Sequence, residues 1–321
     1  MSATLFLPET SPALAAKLPT TPQINDLSIR VGTVNGSGSN SANLVLLRAL
    51  YAMGIPCSGK NIFPSNIEGL PTWFHIRASA KGYVGHRLDP QILVCMNEVT
   101  ARDDATQLKP GTICLYRDDF DVDLKGLRDD VVFLAVPFQK LAERAYPPDK
   151  TDKGYRDKLR KVVNMGYVGV LASVCGVTID AVETAVHREF PGRKVKAAEI
   201  NINAARVAYN WAQEHLPADL PYRVEPIEST QDKILIEGNK AAALGVLFGG
   251  ANVLTWYPIT PSSSLAEYAE EFLTKHRIEP DGKHSFAIVQ AEDELAAIGM
   301  AVGAGWGGAR ALTATSGPGI S

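Results

Sequence analysis

Cysteine is scarce: Cys57, Cys95, Cys114 and Cys175 are the only four in 321 residues, and no C-x-x-C pair occurs. That spacing disfavours a clustered metal or iron–sulfur site held by this chain alone and suits reduced, buried thiols of a cytoplasmic protein. Aromatic residues make up only 7%. No charge excess exists either, with 32 Lys and Arg against 35 Asp and Glu, which argues against a broad nucleic-acid face. Apolar runs long enough to span a bilayer are missing, and Met1-Ser2-Ala3-Thr4 opens no signal peptide. What is present is a 45% hydrophobic fraction with 27 glycines and 20 prolines, enough core for two α/β domains joined by short turns.

Periodicity predicts that order begins after a Pro-, Thr- and Ser-rich arm over residues 1–26. A strand near Leu27–Gly32 runs into the polar turn Asn35-Gly36-Ser37-Gly38-Ser39-Asn40 and then a helix ending before Gly54. Buried strands are expected at 92–96, 113–116 and 131–136, with a helix from Glu98 and a long apolar helix over 159–177 carrying Asn164-Met165-Gly166. Thr178 is placed to cap the next helix. These elements define a first domain over 27–195. Residues 196–236 read as a helix and a linker containing Pro217, Pro221 and Pro226. A second α/β pattern fills 237–321.

Four places could carry chemistry. The glycine turn offers helix-start amides to an anion, with Gly36 and Gly38 as contacts, although it matches neither a dinucleotide fingerprint nor a Walker loop. An unliganded strand-to-helix turn explains it as well. In Tyr257-Pro258-Ile259-Thr260-Pro261-Ser262-Ser263-Ser264, two prolines fix a strand-end turn, so Thr260 can face a ligand while Ser262 or Ser263 caps a helix. A capped turn alone is the plain alternative. Gln290-Ala291-Glu292-Asp293-Glu294 opens a helix of small apolar residues, which suggests deep packing and a carboxyl group in need of a partner. Helix capping accounts for the acids equally well. The six histidines show no paired-ligand spacing, and the basic run Lys153, Lys158, Arg160, Lys161 reads as a solvated face, or one met by a phosphate-bearing partner.

Gly238-Asn239-Lys240-Ala241, the Tyr257–Ser263 string, Gln290–Glu294 and Thr315-Ser316-Gly317-Pro318-Gly319 occur in an order that resembles the alpha subunit of 2-oxoacid:ferredoxin oxidoreductases with a gamma domain fused in front, nearest to the 2-oxoglutarate type. The resemblance implies a gamma-type α/β domain followed by the first part of a thiamine-diphosphate pyrimidine-binding α/β domain, incomplete because the chain stops in a loop that should lead onward. It also implies oxidative decarboxylation of a 2-oxoacid to its acyl-coenzyme A, with electrons passed to ferredoxin. Glu292 would share a proton with the aminopyrimidine ring and favour its imino tautomer. Thr260, Pro261, Ser262, Thr315, Ser316 and Gly317 would line the same pocket, and Gly36 and Gly38 would meet a coenzyme A phosphate. The turn here reads Ser37-Gly38-Ser39-Asn40 where relatives carry more glycine and a glutamine. No metal ligand is expected on this chain: magnesium and a [4Fe-4S] cluster would belong to a beta subunit, in a hetero-oligomer with no nucleic acid and no membrane. A non-catalytic scaffold subunit and a different thiamine-dependent enzyme remain alternatives.

Overall fold

The computed structural model describes residues 16–64, 67–148 and 152–321, which form two compact units, one up to Lys233 and one from Ile234. Of the arm expected over 1–26, the first fifteen residues lie outside the described ones.

The first unit contains, in chain order, β1 (Gln23–Ile24), β2 (Asp26–Val34), α1 (Ser39–Ala52), β3 (Cys57–Ile62), β4 (Pro71–Ser79), β5 (Ile92–Cys95), α2 (Glu98–Thr106), β6 (Ile113–Arg117), β7 (Val132–Val136), α3 (Phe138–Ala145), α4 (Tyr155–Cys175), α5 (Ile179–Glu189), α6 (Val195–His215) and β8 (Tyr222–Arg223). Its main sheet runs β3-β4-β2-β5-β6-β7. Strands β2, β5, β6 and β7 are parallel, whereas β4 is antiparallel to both β2 and β3. The central strands are apolar because both faces are covered. On one face Leu93, Cys95, Cys114 and Tyr116 pack with Ala101 and Ala105 of α2.

Helix α1 follows from its own spacing. Ala42, Val45, Leu46, Ala49 and Leu50 recur on one stripe and are all buried. Gly54, at φ 80°, ends the run in the left-handed region. Helix α4 is buried almost all round from Val162 onward. Gly169 explains how α6 comes so close, since a Cβ there would lie 2.2 Å from the Ala205 carbonyl oxygen. Thr178 caps α5 as expected, accepting from the Ala181 amide at 3.3 Å.

Two features of this unit differ from the sequence reading. The β3–β4 hairpin was not anticipated, because Trp73, His75 and Arg77 interrupt the apolar signal along a strand that is nonetheless buried. The proline-rich stretch after α6 does not hang free. Leu220, Tyr222 and Val224 are buried, β8 pairs with β1, and the Val224, Ile227 and Ser229 amides donate to the carbonyls of Cys175, Met53 and Gly54 at 2.7, 2.9 and 3.1 Å. Prolines fix φ and remove donors, but they leave the intervening residues free to bond and bury.

The second unit contains α7 (Gly238–Phe248), β9 (Val253–Trp256), α8 (Ser263–His276), β10 (Ala287–Gln290), α9 (Glu294–Trp306) and β11 (Ala311–Ala314). The three strands are parallel in the order β10-β9-β11. Ala243 of α7, Ala266 and Ala269 of α8, and Leu254 form a cluster on one face. On the other, Thr255 donates its hydroxyl to the Ala297 carbonyl of α9 at 2.7 Å. The deep packing expected for α9 is not what the structure shows. Only Ala297 and Ala301 are buried, while Leu295 is 80% and Trp306 95% exposed. Small residues face the sheet and the large ones point away, which composition alone does not reveal. Among the described residues, no helix is long and apolar enough to cross a membrane.

Candidate functional site

In the second unit the register aligns Gln290, Trp256 and Ala314, so all three strands end on one line. Chains leaving the carboxyl ends of parallel strands form the usual crevice for ligands in open α/β sheets. Each strand here delivers one motif to that edge: Tyr257–Ser262 after β9, Ala291–Asp293 after β10, and Thr315–Gly319 after β11.

The geometry joins two of these loops directly. Ser316 donates its hydroxyl to the Thr260 carbonyl at 3.2 Å, and the Thr260–Pro261 peptide is cis. Asn239 at the start of α7 fixes the first loop from behind, its amide reaching the Pro261 carbonyl and the Ser264 hydroxyl, both at 2.8 Å. Glycine at 317 takes φ 54° and opens a single tight turn, Gly317–Ile320. Gly319 packs tightly here, because a Cβ would lie 2.2 Å from Thr315 Oγ1 and 2.8 Å from Glu294 Cγ. Thr315 Oγ1 is buried and has no hydrogen-bond partner within the chain. Such an orphan hydroxyl is costly and marks a place where a ligand atom can complete the bonding.

The three acids after β10 divide their work. Asp293 caps α9, its Oδ1 accepting from the Ala296 amide at 2.6 Å. Glu294 lies beside Thr315. Glu292 does neither and is exposed at the crevice edge. Ser262 and Ser263 do not cap α8 as expected. Both hydroxyls turn back to the Ile259 carbonyl, at 3.0 and 3.2 Å, because Ser262 already has helical backbone angles. Asn239 and Glu294 were missed as site residues. Both lie inside strings named above, Gly238-Asn239-Lys240-Ala241 and Gln290-Ala291-Glu292-Asp293-Glu294, but nothing in the spacing sets either apart from its neighbours.

The first unit repeats the principle. Val34, Met96 and Arg117, at the carboxyl ends of β2, β5 and β6, border a cleft of about 380 Å³ together with Ser37, Arg156 and Asn164. Gly36 and Gly38 both have left-handed φ, 80° and 85°, and stand against Glu68 and Lys161. Asn164 Nδ2 donates to the Ser37 carbonyl at 2.8 Å, so the middle of α4 holds the turn in place. Ser37 Oγ is a second buried hydroxyl lacking a partner. Arg117 grips Asp119 through a two-pronged contact at 2.9 and 2.6 Å, and this hydrogen bonding raises its pKa. Among the described residues, no group of three or more His, Cys, Asp or Glu is placed to hold a metal ion.

Residues 28–211 match the pyruvate ferredoxin/flavodoxin oxidoreductase family, and residues 245–321 match its thiamine-diphosphate-binding counterpart. Similar proteins include subunit alpha of 2-oxoacid:ferredoxin oxidoreductase 2 from Aeropyrum pernix, 28% identical over 92% of this chain and 52% of the relative. The 2-oxoglutarate synthase subunit KorA of Archaeoglobus fulgidus is 45% identical over 27% of this chain and 23% of its own. Among solved structures, the 2-oxoglutarate:ferredoxin oxidoreductase of Magnetococcus marinus, with 2-oxoglutarate, coenzyme A and succinyl-coenzyme A bound, aligns with a TM-score of 0.77 and 27% identity. The alignment covers 93% of this chain and 49% of that one. The chain thus spans about half the length of the relatives it matches most fully. A gamma-type α/β domain is followed by a thiamine-diphosphate pyrimidine-binding-like α/β domain, and the chain belongs to the pyruvate ferredoxin/flavodoxin oxidoreductase family.

Proposed function

We propose that this chain is the gamma–alpha part of a cytoplasmic 2-oxoacid:ferredoxin oxidoreductase that converts 2-oxoglutarate and coenzyme A to succinyl-coenzyme A and carbon dioxide. The observation that carries the reading is the gathering of three loops on one sheet edge around the unpartnered Thr315 hydroxyl. Substrate choice rests on the relatives, since 2-oxoglutarate is bound in the Magnetococcus enzyme and named for the Archaeoglobus subunit.

The residues present fit the pyrimidine half of thiamine diphosphate. Thr315 offers a hydroxyl needing a partner, Ser316 ties its loop to Thr260, and Gly319 lets the turn after β11 pack closely against Thr315. When bound, thiamine diphosphate supplies the carbon nucleophile for the 2-oxo group and holds the electron pair released with carbon dioxide. Glu292 carries the proton: its carboxyl group is set to share one with a ring nitrogen of the aminopyrimidine. Thr260, Pro261 and Ser262 shape one wall, and Thr315, Ser316 and Gly317 the other.

That role requires a dry surrounding, yet Glu292 is exposed in this chain. A second surface must therefore cover it, and a beta subunit that brings the diphosphate, magnesium and [4Fe-4S] sites and hands electrons to ferredoxin would do so. Within the first unit, the Ser37 hydroxyl and the cleft beside Gly36 and Gly38 fit a phosphate of coenzyme A.

The test is reconstitution with a cognate beta subunit and whatever further alpha sequence the relatives require. The chain alone should not reduce a viologen dye with 2-oxoglutarate, while the complex should. Glu292→Gln in that complex should lower turnover by about 10²-fold or more, as expected for a group acting in proton transfer. Unchanged turnover would instead favour a scaffold role for the site, and activity of the chain alone would refute the division of labour.

A further inference from the structure

Helix α4 has two working stripes in its first half. Arg156, Arg160, Val163 and Asn164 face the glycine-turn cleft. Lys158, Lys161, Val162 and Met165, also spaced at helical intervals, face a separate groove of about 960 Å³. The opposite bank of that groove comes from Phe190, Lys194, Lys196 and Ile200. Gly38 stands on the rim, where a Cβ would lie 3.0 Å from Lys161 Cγ.

Four lysines thus converge on one concavity. Asp152 is the acid lining it and ion-pairs with Lys158. It reaches Lys196 only through a longer-range field, and Lys161, Lys194 and Lys196 have no ion-pair partner among the described residues. Like charges on Lys158 and Lys161, one turn apart, repel each other unless an anion intervenes. Beneath them the floor is apolar: Val162 is 4% and Met165 2% exposed, and the Phe190 ring is half-buried at the edge. A groove of this size with a cationic mouth over an apolar, aromatic-edged floor suits an amphipathic polyanion rather than a bare inorganic ion.

We propose that this groove is a second anion site of the first unit, separate from the glycine-turn cleft, and that it takes a nucleoside polyphosphate. The phosphates meet Lys161, Lys194 and Lys196, and the base lies over Met165 against Phe190. Coenzyme A is itself an adenine nucleotide, but its phosphate is assigned to the glycine-turn cleft, so a second nucleotide in this groove would modulate the enzyme instead of supplying a reactant.

Titration calorimetry of the chain with ATP, with pyrophosphate and with coenzyme A tests the assignment. Saturable ATP binding is expected, tighter than that of pyrophosphate because of the apolar floor. The double change Lys194→Glu and Lys196→Glu should weaken ATP about tenfold or more while leaving coenzyme A unaffected. Lys194→Gln with Lys196→Gln, which removes charge without reversing it, should give an intermediate loss, and circular dichroism should show both variants folded. Failure of ATP to saturate, equal affinity for ATP and pyrophosphate, or indifference to the lysine changes would overturn the nucleotide site. Competition between ATP and coenzyme A, with both lost together in the variants, would overturn its separateness while leaving the coenzyme A reading intact.

Discussion

The two units solve the same architectural problem with very different degrees of closure. In the first, the largest fully buried side chains include Tyr167, Phe138, Leu46 and Ile76, and a proline-containing strap is bonded across the helix ends. In the second, most buried apolar residues are alanines, with Leu247, Leu254 and Leu273 the larger exceptions, while Phe248, Leu295, Val302 and Trp306 face outward. Both units present their motif loops at the carboxyl edge of a parallel sheet. Both leave some large apolar side chains exposed, but the first buries many large ones in its core, whereas the core of the second is mostly alanine and α9 presents several large ones outward. Burial of a large apolar side chain stabilises by roughly 1.5–3 kcal/mol, so this difference dominates any surface charge pairing.

The sharpest way to break the comparison is to loosen the strap on the closed unit. Gly54 has left-handed φ, and a Cβ there would stand 1.5 Å from the Ile227 carbonyl oxygen. Gly54→Ala should therefore destabilise the first unit by roughly 3 kcal/mol, from backbone strain together with a clash against fixed backbone. Hydrogen exchange at the Ile227 and Ser229 amides should accelerate first, because both donate to Met53 and Gly54. Slow exchange retained at those amides would mean that the strap is not anchored there.

A smaller effect is expected from pH, through a polar cluster on the same sheet. His75 of β4 is 7% exposed and lies against His86, the two rings tilted with centroids 4.3 Å apart. Burial lowers its pKa from 6.5 to about 4, helped by the positive charge of Arg30, His86 and Lys60. Asp104 lies near Arg30 and is itself held above the usual carboxylate range by burial. A histidine whose folded pKa is depressed contributes stability in full above the unfolded value and loses it as pH falls through the folded value. The first unit should thus weaken as pH drops from 6.5 toward 4, and His75→Gln should flatten that slope in chemical denaturation. An unaltered slope in the variant would remove His75 from the account.

Much of this organisation was legible in the residues, and the failures have identifiable causes. The opening strand, glycine turn and helix were readable because Ala42, Leu44, Leu47 and Leu50 follow the turn and stop before Gly54, and of these Ala42, Leu47 and Leu50 are buried while Leu44 is half-buried. The order of the strand-end motifs in the second unit was equally plain, since each follows a short apolar run. Strand β4 was hidden because His75 and Arg77 are buried polar residues, Arg77 satisfied by the Leu27 and Ala78 carbonyls and by Asp26. The strap was hidden because proline content suggests freedom, whereas its bonds are made by Val224, Ile227 and Ser229 to carbonyls distant in sequence. Asn239 is a similar case: its amide is useful only because the fold places Pro261 and Ser264 beside it. Helix α9 misled in the opposite direction, since its apolar composition signals burial but not by which surface.

That last point yields the smallest expected effect and the most direct check on the open unit. Leu295 is 80% and Trp306 95% exposed, so each has little packing to lose within the chain. Leu295→Ser and Trp306→Ser should each change the stability of the chain by no more than about 0.5 kcal/mol, the range of ordinary surface substitutions. The same two changes should weaken assembly with a beta subunit if α9 faces it, because buried large apolar side chains commonly anchor interfaces. Destabilisation of the chain by a core-like amount of roughly 2–5 kcal/mol would show that α9 is already covered and that the contrast between the units is false. No change in either stability or assembly would leave the contrast standing and move the covering surface away from α9, toward the exposed Phe248 at the end of α7.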